Sequence, residues 1–139
     1  MNLVIDTNIF ISALIKESTI RKIILDSEHI FLFPEYEFQE IYKNKDEILE
    51  KSGYSEIEFI RIISILLNKM KIINYEEICN YYDEAFHIMH KIDSDDIIFI
   101  ATAIAFDCPI WSDDKHFKQQ NQIKTLTTKE ILELINKHN

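Results

Sequence analysis

The sequence predicts an α/β fold, with a parallel sheet covered on both faces by helices. Three observations lead there. Short apolar runs the length of strands occur at Asn2–Ile5, Ile30–Phe33 and Pro109–Trp111. Stretches with apolar residues at helical spacing separate them, and such alternation implies parallel pairing through helical crossovers. Carboxylates follow two of the runs, Asp6 after the first and Asp113–Asp114 after Trp111 and Ser112. That is the sheet edge at which open α/β folds bind ligands.

The elements follow in order. After the first strand, Asp6-Thr7-Asn8 forms a polar turn into a helix that is apolar on most faces from Ile9 to Ile15. Thr19 to Ser27 carries Ile20, Ile23 and Ile24 at helical spacing, and Pro34 stops the strand that begins at Ile30. Glu35 to Glu50 mixes Tyr36, Ile41, Ile48 and Leu49 with many charges and reads as one amphipathic surface helix. Ser55-Glu56-Ile57-Glu58 is a capping box that opens a strongly apolar helix reaching Met70. Ile72–Ile73 reads as a third strand, and Tyr75 to His90 as a helix turning Ile78, Tyr82, Ala85 and Met89 inward. Thr125–Leu126 is a last short strand, and Thr127-Thr128-Lys129-Glu130 is a second capping box before a closing helix.

The stretch from Ile92 to Phe117 organises the rest. Asp93, Asp95 and Asp96 precede an apolar run from Ile97 to Phe106, interrupted only by Thr102. Ten such residues are too few for a membrane span of about 20 and too many for a buried strand of about 4–8. Ala101, Ala103 and Ala105 favour an interior helix lying close to the sheet. Asp95 or Asp96 at its N-terminus would cap orphan N–H groups. Three acids in four residues exceed what a cap needs.

With 139 residues, the chain is expected to form a single domain over residues 1–139. One glycine and two prolines leave little room for linkers. The segment Met1–Asp6 lacks a basic stretch followed by an apolar one, so no secretory signal is expected. Cys79 and Cys108 form no C-x-x-C pair, so both are expected as reduced core residues of a cytoplasmic protein. The net charge of −9, from 15 basic and 24 acidic side chains, excludes a basic nucleic-acid coat protein. It leaves room for a nuclease, because cations offset acids gathered in a cleft.

Four carboxylates fall on one sheet edge in this reading: Asp6, Glu40, Asp96 and Asp114. Like charges gathered there repel, and desolvation disfavours their ionised forms, so the cluster costs stability unless a cation sits among it. Oxygen donors without paired His or Cys point to Mg²⁺ or Mn²⁺ rather than Zn²⁺. Such an ion suits phosphodiester hydrolysis.

The segments V-I-D-T-N at 4–8, Q-E-I at 39–41, D-S-D-D-I-I-F-I-A-T-A at 93–103 and I-W-S-D-D-K-H-F at 110–117 resemble those of the PIN domain family. The resemblance covers essentially the whole chain. It implies a three-layer α/β/α fold and a Mg²⁺/Mn²⁺-dependent ribonuclease leaving 5′-phosphate and 3′-hydroxyl ends. It also implies a toxin of the VapC type, held inactive by an antitoxin. Carried over residue by residue, the acidic quartet is Asp6, Glu40, Asp96 and Asp114. Asn8 matches a polar residue beside the first acid, Ser112 a hydroxyl two residues before the last, and Asp93 an additional acid. Glu37 competes with Glu40, Asp95 with Asp96, and Asp113 with Asp114.

Plainer roles compete. Asp6 and Asp96 could serve only as caps, Glu40 as part of a solvated helix face, and Asp114 as a surface acid. Asp83, His87 and His90 recur at helical spacing but read as a solvated face rather than a metal site; His116 falls near the expected ligand edge, in reach of substrate, but reads as a surface residue. Phe31, Phe33, Phe99, Phe106 and Trp111 read as core rather than as platforms for bases. An aspartate-nucleophile phosphatase would want a second Asp where Asn8 stands. A catalytically silent module binding RNA or protein is the alternative of a different class. The expected partners are RNA, an antitoxin and a second copy of the chain, through apolar surface on the helices from Ser55 to His90; no membrane contact is expected.

Overall fold

A computed structural model describes residues 1–137. Five strands form one parallel sheet in the order β3-β2-β1-β4-β5. They are β1 (Asn2–Ile5), β2 (Ile30–Pro34), β3 (Met70–Ile73), β4 (Ile110–Trp111) and β5 (Thr125–Leu126). β1 sits at the centre, with Leu3 opposite Phe31 on one side and Ile5 opposite Trp111 on the other. Strands buried on both faces need no alternation of polar residues; Leu3, Val4, Ile5, Phe31, Leu32 and Phe33 are all fully buried.

The helices are α1 (Thr7–Ile15), α2 (Thr19–Asp26), α3 (Phe38–Lys43), α4 (Lys45–Ser52), α5 (Glu56–Leu67), α6 (Tyr75–Ile78), α7 (Tyr82–Met89), α8 (Ile97–Phe106) and α9 (Thr128–Lys137). They complete the three-layer α/β/α sandwich. α8 lies against β1, β2 and β4 and packs on α6 and α7, while α1 gathers α2, α3, α4 and α5. Every residue of α8 from Ile97 to Ala103 is buried, including Thr102, whose hydroxyl donates to the Ile98 carbonyl. That satisfies the one polar group in the run. Both capping boxes form: Ser55 with Glu58, and Thr127 with Glu130. Gly53 ends α4 in the left-handed region at φ 73, where a Cβ would be strained.

Arg21 is the least conventional core residue. It is 7% exposed, yet among the described residues its guanidinium pairs with no carboxylate. Nε donates to the Ala13 carbonyl at 2.7 Å, and Nη2 to Leu14 O at 3.1 Å and to the Tyr54 hydroxyl at 3.0 Å. The cation thus satisfies orphan carbonyls at the negative end of α1.

Three segments differ from expectation. Glu35 to Glu50 is not one helix: a 3₁₀ turn (Glu35–Glu37), α3 and α4 divide it. At the second break, the Asn44 amide donates to Glu40 O at 2.6 Å, and its backbone N–H reaches Glu40 O and Ile41 O. These bonds close α3 and release the chain to start α4 in a new direction. Tyr75 to His90 is divided likewise, by a 3₁₀ turn at Cys79–Tyr81, although Ile78, Ala85 and Met89 are buried and Tyr82 is half-buried. Met70 belongs to β3 rather than to α5, which stops at Leu67. Phe106 and both cysteines are half-buried rather than fully core.

Candidate active site

Asp6 directly follows the central strand. Its backbone N–H donates to Trp111 O, continuing the β1–β4 pairing one step past the last rung. Its side chain then caps α1, with Oδ1 accepting from Ile9 N at 2.8 Å, while Oδ2 accepts from the Ser112 hydroxyl. Ser112 Oγ accepts in turn from the backbone N–H of Asp114 at 3.0 Å. Capping is therefore one role of Asp6, not the whole of it. The residue is only 4% exposed. Burial pushes its carboxyl up to about 6, against the lowering pull of the Ser112 and Ile9 bonds, with Asp114 and Asp113 adding repulsion.

Asp96 reaches the same place from the start of α8. It makes no capping hydrogen bond; Asp93 takes the cap of the preceding 3₁₀ turn, accepting from Asp95 N at 3.0 Å. Asp96 Oδ2 is buried and has no hydrogen-bond partner among the described residues. Burial first, then the charges of Asp93, Asp114 and Asp6, pushes this carboxyl up to about 7. His116 lies beside it, half-buried. Its Nδ1 is 3.0 Å from Asp93 Oδ2 and 3.4 Å from Asp114 Oδ1, and its backbone N–H donates to Asp114 at 2.9 Å.

The remaining acids approach from the segment after β2. Glu37 Oε2 accepts from the Thr7 hydroxyl at 3.0 Å, joining that segment to the start of α1. Burial raises the Glu37 carboxyl, and Glu40 and Asp95 add to the effect. Glu40 is paired with Lys43 at 3.2 Å. Glu37 and Glu40 both face one cleft of about 820 Å³, which Asp6, Asn8, Asp95, Asp96 and Asp114 also line. Asn8 is exposed there, and the bonds that orient Asp6 come from Ile9 and Ser112.

Asp113 points elsewhere. Its two oxygens accept from Thr128 N and Thr128 Oγ1, each at 2.7 Å, so it anchors the start of α9. Asp83 and His87 lie exposed on α7, and the His90 ring stacks on Phe86.

The donor set fits a hard divalent cation. An unpartnered buried carboxylate oxygen among like charges is costly unless something positive meets it. Oxygen donors are what Mg²⁺ and Mn²⁺ take. Among the described residues, Asp93, Asp96 and His116 are the group of three whose ligand atoms lie within 4.8 Å of one another. Of that group Asp96 lines the cleft, together with Asp6, Glu40 and Asp114. Two features of this site exceed what the sequence implies. His116, expected near the ligand edge but with a surface role, is tied to Asp93 and Asp114. Tyr36, Tyr75 and Tyr82, which line the cleft, were read only as members of helices.

A family model of the PIN domain matches residues 4–135, so the chain belongs to the PIN domain family. Among solved structures, the crystal structure of VapBC2 from Rickettsia felis, bound to a DNA fragment from its promoter, is similar with a TM-score of 0.68. The alignment covers 91% of this chain and 98% of the other at 17% identity, a likeness of fold. Comparison with curated proteins finds no match.

Proposed function

We propose that this PIN domain is a Mg²⁺/Mn²⁺-dependent endoribonuclease that hydrolyses RNA phosphodiester bonds in the cytoplasm as the toxin of a toxin–antitoxin pair. The observation that carries the reading is the meeting of Asp6, Glu40, Asp96 and Asp114, remote in sequence, on one cleft where a buried carboxylate oxygen of Asp96 has no partner among the described residues. These four residues would hold the ion. When bound, it would lower the pKa of water and offset charge on the phosphate.

The protein's part is orientation. Asp6 is clamped between Ile9 N–H and Ser112, so its oxygens are fixed before any ligand arrives. Ser112 also holds the Asp114 backbone, so one hydroxyl sets the spacing of two acids. His116 bridges Asp93 and Asp114 and restrains both. Lys43, which lines the cleft beside Glu40, is the cation available to a flanking phosphate. Asn8 faces the cleft and would contact the scissile phosphate or a water.

The VapBC2 complex supports an antitoxin as partner. The apolar side chains Ile57, Ile60 and Ile65 that α5 leaves exposed are where an antitoxin or a second copy would dock. Among the described residues, no helix is long and apolar enough to cross a membrane.

The test is cleavage of a mixed-sequence RNA by purified protein with Mn²⁺, with EDTA, and with the Asp6→Asn variant. Cleavage that needs the metal and is lost in the variant supports the reading. RNA binding without cleavage under all three conditions would favour the catalytically silent module instead.

A further inference from the structure

We propose that Tyr36, Tyr75 and Tyr82 form a nucleobase-binding subsite at one end of the acidic cleft, which stacks an unpaired base of the strand whose phosphate lies at the acids. The inference rests on the nuclease reading above and adds the part of the substrate that the acids cannot recognise.

The topology builds the subsite. β2 and β3 are adjacent parallel strands whose last rung pairs Pro34 with Ile73. Tyr36 and Tyr75 each stand two residues beyond that rung, so both emerge at the ligand edge of the sheet. They are 66% and 60% exposed, respectively, although an aromatic ring gains from burial. Tyr82 opens α7, half-buried, with its ring centroid 6.3 Å from that of Tyr75 and the planes inclined at 54°. Burial first, and then the nearby Tyr75, Tyr36 and Glu37, raises the Tyr82 phenol above its ordinary value. All three rings line the same cleft as Asp6, Asp96 and Asp114.

Charge explains why such a subsite is needed. Nucleic-acid affinity commonly comes from cations that displace the counterions of phosphates. Here the chain carries a net charge of −9, and Lys43 is the one basic residue among the described residues lining the cleft. Stacking on an aromatic face does not depend on charge and tolerates any base. The cleft volume of about 820 Å³ is that of a site for an organic ligand rather than for an ion alone. A duplex hides its base faces within the stack, so the subsite selects single-stranded RNA.

The experiment measures binding apart from cleavage. Fluorescence polarisation in Ca²⁺ follows a labelled single-stranded RNA, an abasic oligonucleotide of the same length and a duplex. The proteins are wild type, Tyr36→Ala, Tyr75→Ala, Tyr75→Phe and the double alanine variant, and cleavage of the single strand in Mn²⁺ is measured alongside. Each alanine variant is expected to weaken single-strand binding about 10-fold and the double variant more, with Tyr75→Phe retaining it. Binding of the abasic strand and of the duplex should stay weak and unchanged, and the loss in cleavage should fall on KM rather than kcat. Alanine variants that bind and cut like wild type overturn the subsite while leaving the nuclease reading intact. So does an equal loss for the abasic strand, or a loss confined to capture of a co-expressed antitoxin. Wild type that binds the single strand through these rings without cutting it supports the subsite and sinks the nuclease; wild type that neither binds nor cuts sinks both.

Discussion

Ser112 donates its hydroxyl to the carboxylate of Asp6, 106 residues away in sequence, across the β1–β4 pairing. The same oxygen accepts from Asp114 N, so a single side chain couples the first and last acids of the cleft. Ser112→Ala removes the hydroxyl that donates to Asp6 Oδ2. It is expected to weaken Mn²⁺ binding by about 10–100-fold, as removal of groups that orient metal ligands does. A calorimetric Mn²⁺ titration checks this. Unchanged affinity would mean that Ile9 N–H suffices to orient the carboxylate.

Asp113 and Asp114 are adjacent but face different tasks, and mutation should separate them. Asp113→Ala deletes the two bonds to Thr128 that start α9 and should cost about 1 kcal/mol of stability. RNA cleavage below the melting temperature should be unaffected. Asp114→Asn should do the reverse, abolishing cleavage with little change in melting temperature. Thermal melts and a cleavage assay on the two variants read both axes.

Arg21 should be irreplaceable by any apolar residue of similar length. In Arg21→Met, the carbonyls of Ala13 and Leu14 lose their donor while remaining buried. The expected loss is about 2–3 kcal/mol. Urea denaturation at pH 7 measures it. A smaller loss would show that the carbonyls find water.

The pH dependence of the metal-free protein carries a sign that is unusual for a carboxylate. Burial and like charges lift folded Asp96 to about 7 from an ordinary 3.8. The folded state therefore binds the proton more tightly than the unfolded state. Stability is fully retained below the unfolded value and is lost as pH rises from about 4 through 7. Asp96→Asn escapes this loss without sacrificing a hydrogen bond to Oδ2, which makes none among the described residues. In EDTA, the variant should match wild type at pH 4 and exceed it at pH 8 by on the order of 1–2 kcal/mol, allowing for solvent screening of a half-buried group. Equal stability at both values would show that Asp96 pays no desolvation penalty.

Much of this was legible in the sequence because it depends on local pattern. The apolar runs that became β1, β2 and β4 are bounded by acids or proline, and the length and alanines of α8 mark an interior helix. Asp6 and Asp114 follow strands, which is enough to send both to the ligand edge. What was hidden depends on direction. Asn44 breaks α3 from α4 through its own side chain, while the apolar periodicity runs on across the break. Glu37 and Glu40 lie within one turn of each other, and only the fold separates them: Glu37 is buried and takes the bond from Thr7, while Glu40 pairs with Lys43. His116 draws its importance from Asp93, 23 residues earlier, and Tyr36 and Tyr75 become neighbours through the pairing of β2 with β3.

The most direct measurement is Mn²⁺ binding, followed by electron paramagnetic resonance at pH 7.5, on wild type, Asp96→Asn and Asp113→Ala, with RNA cleavage assayed on the same samples. Wild type and Asp113→Ala should bind the ion and cut RNA, while Asp96→Asn should lose both together. Undiminished Mn²⁺ binding by Asp96→Asn, or cleavage by wild type that persists at full rate in EDTA, would contradict the account.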